Sequence, residues 1–291
     1  MEDNTWTVLR ILNWTTDYLD KKGIEHGRLN AERMLGHALG MSRLDLYLKF
    51  DRPLCPNERS VFKSLLSKRT NGLPLQYVLG ETEFFSLPFS LRPPVLIPRP
   101  ETEILVQTAL DRLRCREGAL TVADIGTGSG NIAIALTVHL ESLMAIATDC
   151  SAEAIALAGE NALRNGVSDR ITFLRGDLLN PLSALNLPHG LDAILSNPPY
   201  VRTAQCDTLP PEIRDHESRT ALDGGPDGLH FYRRLAEGAG RYLAPDGFLL
   251  VEVGDGQAGT VQDLFREEGP FRTSETIEDL NGIERVIAAT R

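Results

Sequence analysis

No stretch of this chain reaches the roughly 20 consecutive apolar residues that a membrane-spanning helix requires. The first residues, Met1-Glu2-Asp3-Asn4-Thr5-Trp6, show no basic start followed by an apolar run, so a cytoplasmic location without membrane attachment is expected. Cysteine is sparse. Cys55, Cys115, Cys150 and Cys206 stand apart with no C-x-x-C pair, the pattern of reduced thiols filling space, not of disulfide staples or zinc ligands. The six histidines are equally dispersed and none pairs at i, i+4 with an acid between, so no metal site is expected. Positive charge is also in deficit. The formal net charge of -10 disfavours direct binding to nucleic acid, whose phosphates call for clustered Lys and Arg, although one basic patch can exist within an acidic total. Repeats and low-complexity tracts are absent.

What is present is enough apolar material, 42% of 291 residues, for two cores. Residues 1–80 are expected to form a small all-helical domain. Val8, Leu9, Ile11, Leu12 and Trp14, then Ala31, Met34, Leu35, Ala38 and Leu39, then Val61, Phe62, Leu65 and Leu66 recur at helical spacing. The basic Lys68-Arg69 before Asn71-Gly72 marks a helix end. Nothing in this domain carries chemistry, and a packing or docking module is the expectation. Residues 81–98, with Phe84-Phe85, Phe89 and Val95-Leu96-Ile97 broken by Pro88, Pro93 and Pro94, read as a hairpin-like connector. A helix then opens at Pro100-Glu101-Thr102-Glu103, where proline and acids suit a first turn. Arg99 is left over by that reading: it is aimed at a carboxylate or pins the linker to the second domain, and the second alternative is preferred.

Residues 99–291 are expected to form an α/β domain. From Leu120 the chain alternates strand and helix, as a doubly wound parallel sheet covered on both faces requires. Strands are expected at 120–125, 143–148, 171–174, 191–195, 248–253 and 285–289, with helices between them and a long polar loop from Tyr200 to about Gly228.

Four strand ends carry the candidate site. Gly126-Thr127-Gly128-Ser129-Gly130 follows the first strand, and Asn131 occupies the place where a dinucleotide fingerprint has its third glycine, which counts against NAD. Such a loop lets backbone N–H groups and a helix N-terminus approach a phosphate or a carboxylate. Asp149 ends the second strand, about 20 residues beyond the loop, where a carboxylate accepts ribose hydroxyls. Asp177 ends the third and is placed to accept an adenine amino hydrogen, with Leu178 packing on the base. The fourth runs into Asn197-Pro198-Pro199-Tyr200. Proline cannot donate ladder hydrogen bonds, so pairing stops there, and Asn197 stands just past a strand end. Its amide oxygen and the Pro198 carbonyl can each accept from one planar NH2 group, and Tyr200 offers a ring face. Singly, each acid is also readable as a loop residue or helix cap, and the tip as a Pro-rich turn. Together they match a site for S-adenosylmethionine beside a planar nitrogen acceptor.

On these residues the chain closely resembles, over nearly its full length, the peptide-chain release-factor glutamine methyltransferases. The resemblance includes Gln76-Tyr77-Val78-Leu79-Gly80, Leu87-Pro88-Phe89, Ile97 through Glu103, the Gly126 to Gly130 loop and Asn197 through Tyr200. It continues through Ala221-Leu222-Asp223-Gly224-Gly225, Asp227-Gly228-Leu229 and Gly282-Ile283-Glu284-Arg285. The tip alone is shared with adenine and cytosine amino-methyltransferases, whereas the Arg99 segment is far more diagnostic. The resemblance implies a seven-stranded class I methyltransferase sheet whose last strand runs antiparallel, behind an N-terminal helical bundle. It implies transfer of a methyl group from S-adenosyl-L-methionine to the glutamine of the Gly-Gly-Gln loop of release factors. Catalytic contacts carry over to Asn197 and Pro198, and acceptor contacts to Asn197, Pro198, Pro199 and Tyr200. Cofactor contacts carry over to Gly126, Thr127, Gly128, Ser129, Gly130, Asp149, Asp177, Leu178 and Asn197. Release factors are the implied partners, and a monomer is expected. Ser218 departs from the family pattern, which often has Pro before Arg219, and is expected to touch no role.

Overall fold

The structure is a computed structural model that describes residues 5–291; Met1 to Asn4, part of the N-terminal reading, lie outside the described residues. The chain divides into two compact units, one ending at Gly80 and one spanning Glu81–Arg291. No helix among the described residues is long and apolar enough to cross a membrane.

Among its described residues the first unit holds five helices: α1 (Val8–Lys21), α2 (Gly27–Leu39), α3 (Arg43–Leu48), α4 (Pro56–Thr70) and α5 (Leu75–Leu79). Their starts follow capping chemistry. Thr7 caps α1, Ser42 and Asp45 form a reciprocal capping box on α3, and Pro56 with Glu58 opens α4. Val8, Ile11, Leu12, Met34, Leu35, Phe62, Leu65 and Leu66 build the core. Leu9, Trp14 and Val61, expected with them, are instead among the exposed apolar side chains; Trp14 stacks on Tyr18 with centroids 5.1 Å apart. Arg69 is more than a cation at a helix end. It is buried and donates to Asn30 of α2 and to the Leu73 carbonyl, tying α4 to its neighbours. Glu32 is buried as well, and it is satisfied by Arg28, Arg43 and Tyr47.

The second unit opens with a hairpin, β1 (Glu81–Phe84) and β2 (Leu87–Ser90), whose turn residues Phe85 and Ser86 both have positive φ, as a tight two-residue connection demands. This hairpin is no loose connector. Phe84 and Phe89 join the sheet's own core, so it belongs to the second unit. After α6 (Thr102–Leu113) come β3 (Leu120–Ile125), α7 (Asn131–His139), β4 (Leu143–Asp149), α8 (Ala152–Arg164), β5 (Ile171–Arg175) and β6 (Leu191–Ser196). The long loop contains two short helices, α9 (Thr203–Cys206) and α10 (Pro211–Arg214). It is followed by α11 (His230–Ala239), β7 (Leu243–Glu252), α12 (Ala258–Glu268), β8 (Thr273–Glu278) and β9 (Glu284–Thr290).

The seven strands order as β5-β4-β3-β6-β7-β9-β8. Pairing is parallel from β5 to β7 and antiparallel where β9 meets β7 and β8, so the last strand runs against the rest. Residues alternate between faces along each strand. Val122, Leu195 and Leu250 face the layer of α6 and α7, while Ala123, Ile194 and Leu249 face α11 and α12. Chain order reverses between β3 and β6. A parallel sheet opens a crevice at such a point, beyond the carboxyl ends of its strands.

Candidate active site

Strand register brings the four ends together. Ile125 pairs with Thr148 on one side and Ser196 on the other, and Asp149 pairs with Arg175. The residues that follow, Gly126, Asp149, Asp177 and Asn197, therefore share one rim. They line a single cavity of about 400 Å³, together with Thr127, Gly128, Ser129, Leu178 and Pro199.

The glycine loop is held from below. Asp124, fully buried at the end of β3, accepts from the Thr127 hydroxyl at 2.6 Å and from the Ala133 N–H at 3.1 Å, tying the loop to the first turn of α7. Burial pushes its carboxyl up to about 7 against those hydrogen bonds. Asn161 of α8 donates to the Ser129 and Ser90 carbonyls and accepts the Ser90 N–H, clamping the loop to the hairpin. Gly126 and Gly128 have φ of 75° and 55°, and a Cβ would meet open space at the first and only Val95, at 4.0 Å, at the second. The backbone there stays accessible to a ligand. Gly130 differs from the expectation. It is not part of the cavity wall, and a Cβ on it would stand 2.9 Å from Ile134 and 3.0 Å from Ala158, so packing demands that glycine.

Asp149 accepts the Gly128 N–H with one oxygen and the Ser151 N–H with the other, both at 2.9 Å, so its carboxylate is oriented before any ligand arrives. Asp177 makes a bidentate pair with Arg234 of α11, a partner the sequence pattern did not reveal. Leu178 has φ of 48°, a left-handed conformation unfavourable to a branched side chain, and its carbonyl accepts the Thr148 hydroxyl at 3.1 Å. A non-glycine residue held this way sets the cavity's outline.

At the tip, the Asn197 amide nitrogen donates to the Thr102 hydroxyl at 3.1 Å, and that hydroxyl donates to Glu252 at 2.6 Å. Pro198 is buried and, like Tyr200, lies outside the cavity wall. Tyr200 packs against the buried cluster that includes residues of α11 and α12, and its hydroxyl donates to Glu252 at 3.5 Å, so the ring expected as a stacking face is not among the residues that line the cavity. Burial raises its phenol above the usual range. The glycine pair after Asp223 braces this tip: a Cβ on Gly224 would stand 2.7 Å from the Pro199 carbonyl oxygen. Ser218, expected to touch no role, is part of the cavity wall with Thr220, Ala221, Arg99 and Phe231.

The cysteines do not fill space as a group, since only Cys206 is buried and Cys55, Cys115 and Cys150 are exposed. No group of three or more His, Cys, Asp or Glu able to hold a metal occurs among the described residues.

A seven-stranded sheet with this order, a glycine turn, acids on the next two strand ends and an Asn-Pro-Pro-Tyr tip define an α/β methyltransferase. A family described as "Methyltransferase small domain" matches residues 100–213, and one described as "PrmC N-terminal domain" matches residues 10–80. The release factor glutamine methyltransferase of Geobacter sulfurreducens is 46% identical over 282 residues, covering 97% of this chain and 96% of that one. That of Moorella thermoacetica is 43% identical over 285 residues, covering 98% and 99%. The chain belongs to the release factor glutamine methyltransferase family. Among solved structures the catalytic domain of hMettl16 shares the fold, with a TM-score of 0.56 at 16% identity over 82% of this chain and 84% of that one.

Proposed function

We propose that this chain transfers a methyl group from S-adenosyl-L-methionine to the side-chain amide nitrogen of the glutamine in the Gly-Gly-Gln loop of release factors. The observation that carries the reading is the shared cavity. The Asn197 amide, oriented by Thr102, lines the same space as the open glycine turn and Asp149. The wall also fits the donor in charge: Asp149, Glu153 and Asp177 outnumber its one arginine, Arg99, which suits a cationic sulfonium ligand. Gly126 and Gly128 would admit its methionyl part, Asp149 its ribose hydroxyls, and Asp177 with Leu178 its base.

When bound, the cofactor supplies a methyl group on a positively charged sulfur, already strongly electrophilic. A glutamine amide nitrogen is a poor nucleophile because its lone pair is delocalised into the carbonyl. Oδ1 of Asn197, a residue that lines the cavity, would accept one amide hydrogen, and the Pro198 carbonyl, which the family resemblance implies as second acceptor although Pro198 itself is buried outside the cavity wall, would accept the other. The nitrogen can then pyramidalise with its lone pair aimed at the methyl. Electron density left on the nitrogen rises as well. No histidine base is assigned, because the N-methylated amide cation is strongly acidic and loses its proton to water or to either acceptor.

The test is incubation with labelled S-adenosylmethionine, a purified release factor, the same factor with its loop Gln replaced by Asn, and duplex DNA. One added methyl group, located by mass spectrometry on the Gly-Gly-Gln fragment of the first factor alone, is expected. An adenine in a duplex must be flipped out at a cost of a few kcal/mol before it can reach such a tip. Label in DNA and none in the release factor would overturn the acceptor assignment.

A further inference from the structure

We infer that Thr102 is a positioning residue of the transfer site, which fixes, against the carboxylate of Glu252, the end of the Asn197 amide that faces the acceptor. The inference rests on the reading of Asn197 given above and adds what decides its orientation.

Three groups stand in line. The Asn197 nitrogen lies 3.1 Å from the Thr102 hydroxyl oxygen, which lies 2.6 Å from a Glu252 oxygen. A hydroxyl has one proton to give, and an ionised carboxylate can only accept. The Thr102 proton is therefore committed to Glu252, and only lone pairs of the hydroxyl remain to face Asn197. Those lone pairs admit the NH2 end of the amide and repel its oxygen. Inverting the amide would set oxygen against oxygen and leave the Thr102 lone pairs without a donor, both costly in a buried setting. Asn197 Oδ1 is thereby kept on the far side of its Cγ, as an acceptor. An incoming glutamine NH2 needs such an acceptor; an inverted Asn197 would meet it donor to donor.

The three residues are set by rigid elements. Thr102 is the first residue of α6, Glu252 the last of β7, and Asn197 the residue after β6. Thr102 and Glu252 are 1% and 2% exposed. Thr102 and Asn197 line the cavity, while Glu252 acts from behind the wall. Glu252 is itself held by the Tyr200 hydroxyl at 3.5 Å on its second oxygen and by the Tyr232 hydroxyl at 2.9 Å on its main-chain carbonyl.

Thr102→Val keeps the shape and removes the hydroxyl, whereas Thr102→Ser keeps the hydroxyl. The expected result for Thr102→Val is a loss in kcat of about tenfold to a hundredfold, the scale of a lost positioning bond near a reacting centre. The Kd for S-adenosylmethionine should stay within about twofold of wild type, and Thr102→Ser should restore most of kcat. A second readout needs no acceptor. In 15N-labelled wild-type protein the Asn197 side-chain NH2 should be protected from solvent exchange, and in Thr102→Val that protection should be lost. Absence of methyl transfer by the wild-type enzyme would count against the proposed function and leave the protection measurement to judge the orientation. Wild-type kcat in Thr102→Val, a Thr102→Ser enzyme as slow as Thr102→Val, or an unprotected Asn197 NH2 in the wild type would overturn the positioning role.

Discussion

The guanidinium of Arg99 donates to the Glu217 carboxylate at 2.6 Å, across 118 positions of sequence, and the second Glu217 oxygen accepts the Ile97 N–H at 3.5 Å. The Glu217 side chain is 1% exposed and that of Arg99 29%, so the acid is the buried partner and the base reaches it from the cavity side. Arg99 thus pins the proline-flanked segment before α6 to its own unit, the role preferred from the sequence, and it does so through a carboxylate on the loop that carries Ser218, Thr220 and Ala221. Both segments form walls of the cavity.

Arg99→Ala leaves the Glu217 carboxylate buried with one weak main-chain donor. A loss of about 1–3 kcal/mol in unfolding free energy is expected, the usual scale for orphaning a buried acceptor. Combining it with Glu217→Gln should recover part of that loss, because the uncompensated charge is gone. Urea denaturation of the two single variants and the double variant measures the coupling. Additive effects would mean that the pair contributes nothing beyond its separate side chains.

The central sheet was legible because its strands are buried on both faces and read as short, mostly apolar runs, as at Leu120–Ile125 and Leu191–Ser196, each interrupted by only two polar residues. The strand Thr273–Glu278 was not read from its residues, for a physical reason: it is an edge strand bonded only to β9, and none of its residues is buried. The hairpin Glu81–Ser90 reads as part of a connector because four-residue strands with prolines nearby give little periodicity, although Phe84 and Phe89 belong to the core. At the site, the strand-end residues could be found from their spacing. Thr102, Glu252 and Arg234 could not, since their roles arise only when α6, β7 and α11 bring distant positions within hydrogen-bond reach; Asp124, whose partners Thr127 and Ala133 are near in sequence, reads there as one more residue of a buried strand. Which way the Tyr200 ring turns after two prolines is not legible in the sequence, and in the structure it packs against the core cluster.

Asp149→Ala tests the assigned ribose contact. The carboxylate should accept ligand hydroxyls with lone pairs not used by Gly128 and Ser151, so its removal is expected to weaken S-adenosylmethionine binding by about 1.5–3 kcal/mol. It also unties Gly128 from the strand end, so the loss should be nearer the upper figure. Calorimetry gives the Kd directly. A variant that binds the cofactor normally and is defective only in turnover would contradict the role.

Asn197→Ala should show the opposite split. Cofactor affinity is expected to change little, while kcat falls by about 10²–10³, as when a positioned polar group is removed from an active site. Asn197→Asp is the sharper variant. It retains an acceptor but removes the nitrogen that donates to Thr102, and it sets a second carboxylate near Glu252. Its turnover should lie below wild type and its cofactor binding should be no weaker, because the added negative charge favours the sulfonium ground state. Steady-state kinetics with calorimetry separates the two quantities, and wild-type turnover in Asn197→Ala would remove the residue from the mechanism.

Glu252 should make turnover and stability respond to pH in opposite directions. Burial pushes its carboxyl up to about 7, opposed by the Thr102 hydrogen bond; the Glu101 charge raises it further, and Arg285 and the Tyr200 hydroxyl lower it. In the unfolded chain the group titrates near the ordinary value of 4.5. Between 4.5 and about 7 the folded state therefore holds the extra proton. Its contribution to stability is fully present below the unfolded value and is lost as pH rises through the folded value. Asp124, also pushed up to about 7, acts in the same sense, whereas Asp227, held down to about 2 by Arg233, loses its contribution only in stronger acid. Turnover runs the other way, because only the ionised Glu252 commits the Thr102 proton and so fixes Asn197. A protonated Glu252 can donate to Thr102 and free that hydroxyl to face either end of the amide. Wild-type kcat should therefore rise through about pH 7 while unfolding free energy falls over the same range, by up to about 1.4 kcal/mol per pH unit for one proton. Glu252→Gln cannot ionise, so both slopes should flatten, and kcat should lose its acid limb. Urea unfolding and steady-state rates measured from pH 5 to 8 on both proteins check this, and an unchanged acid limb in Glu252→Gln would assign the titration to another group.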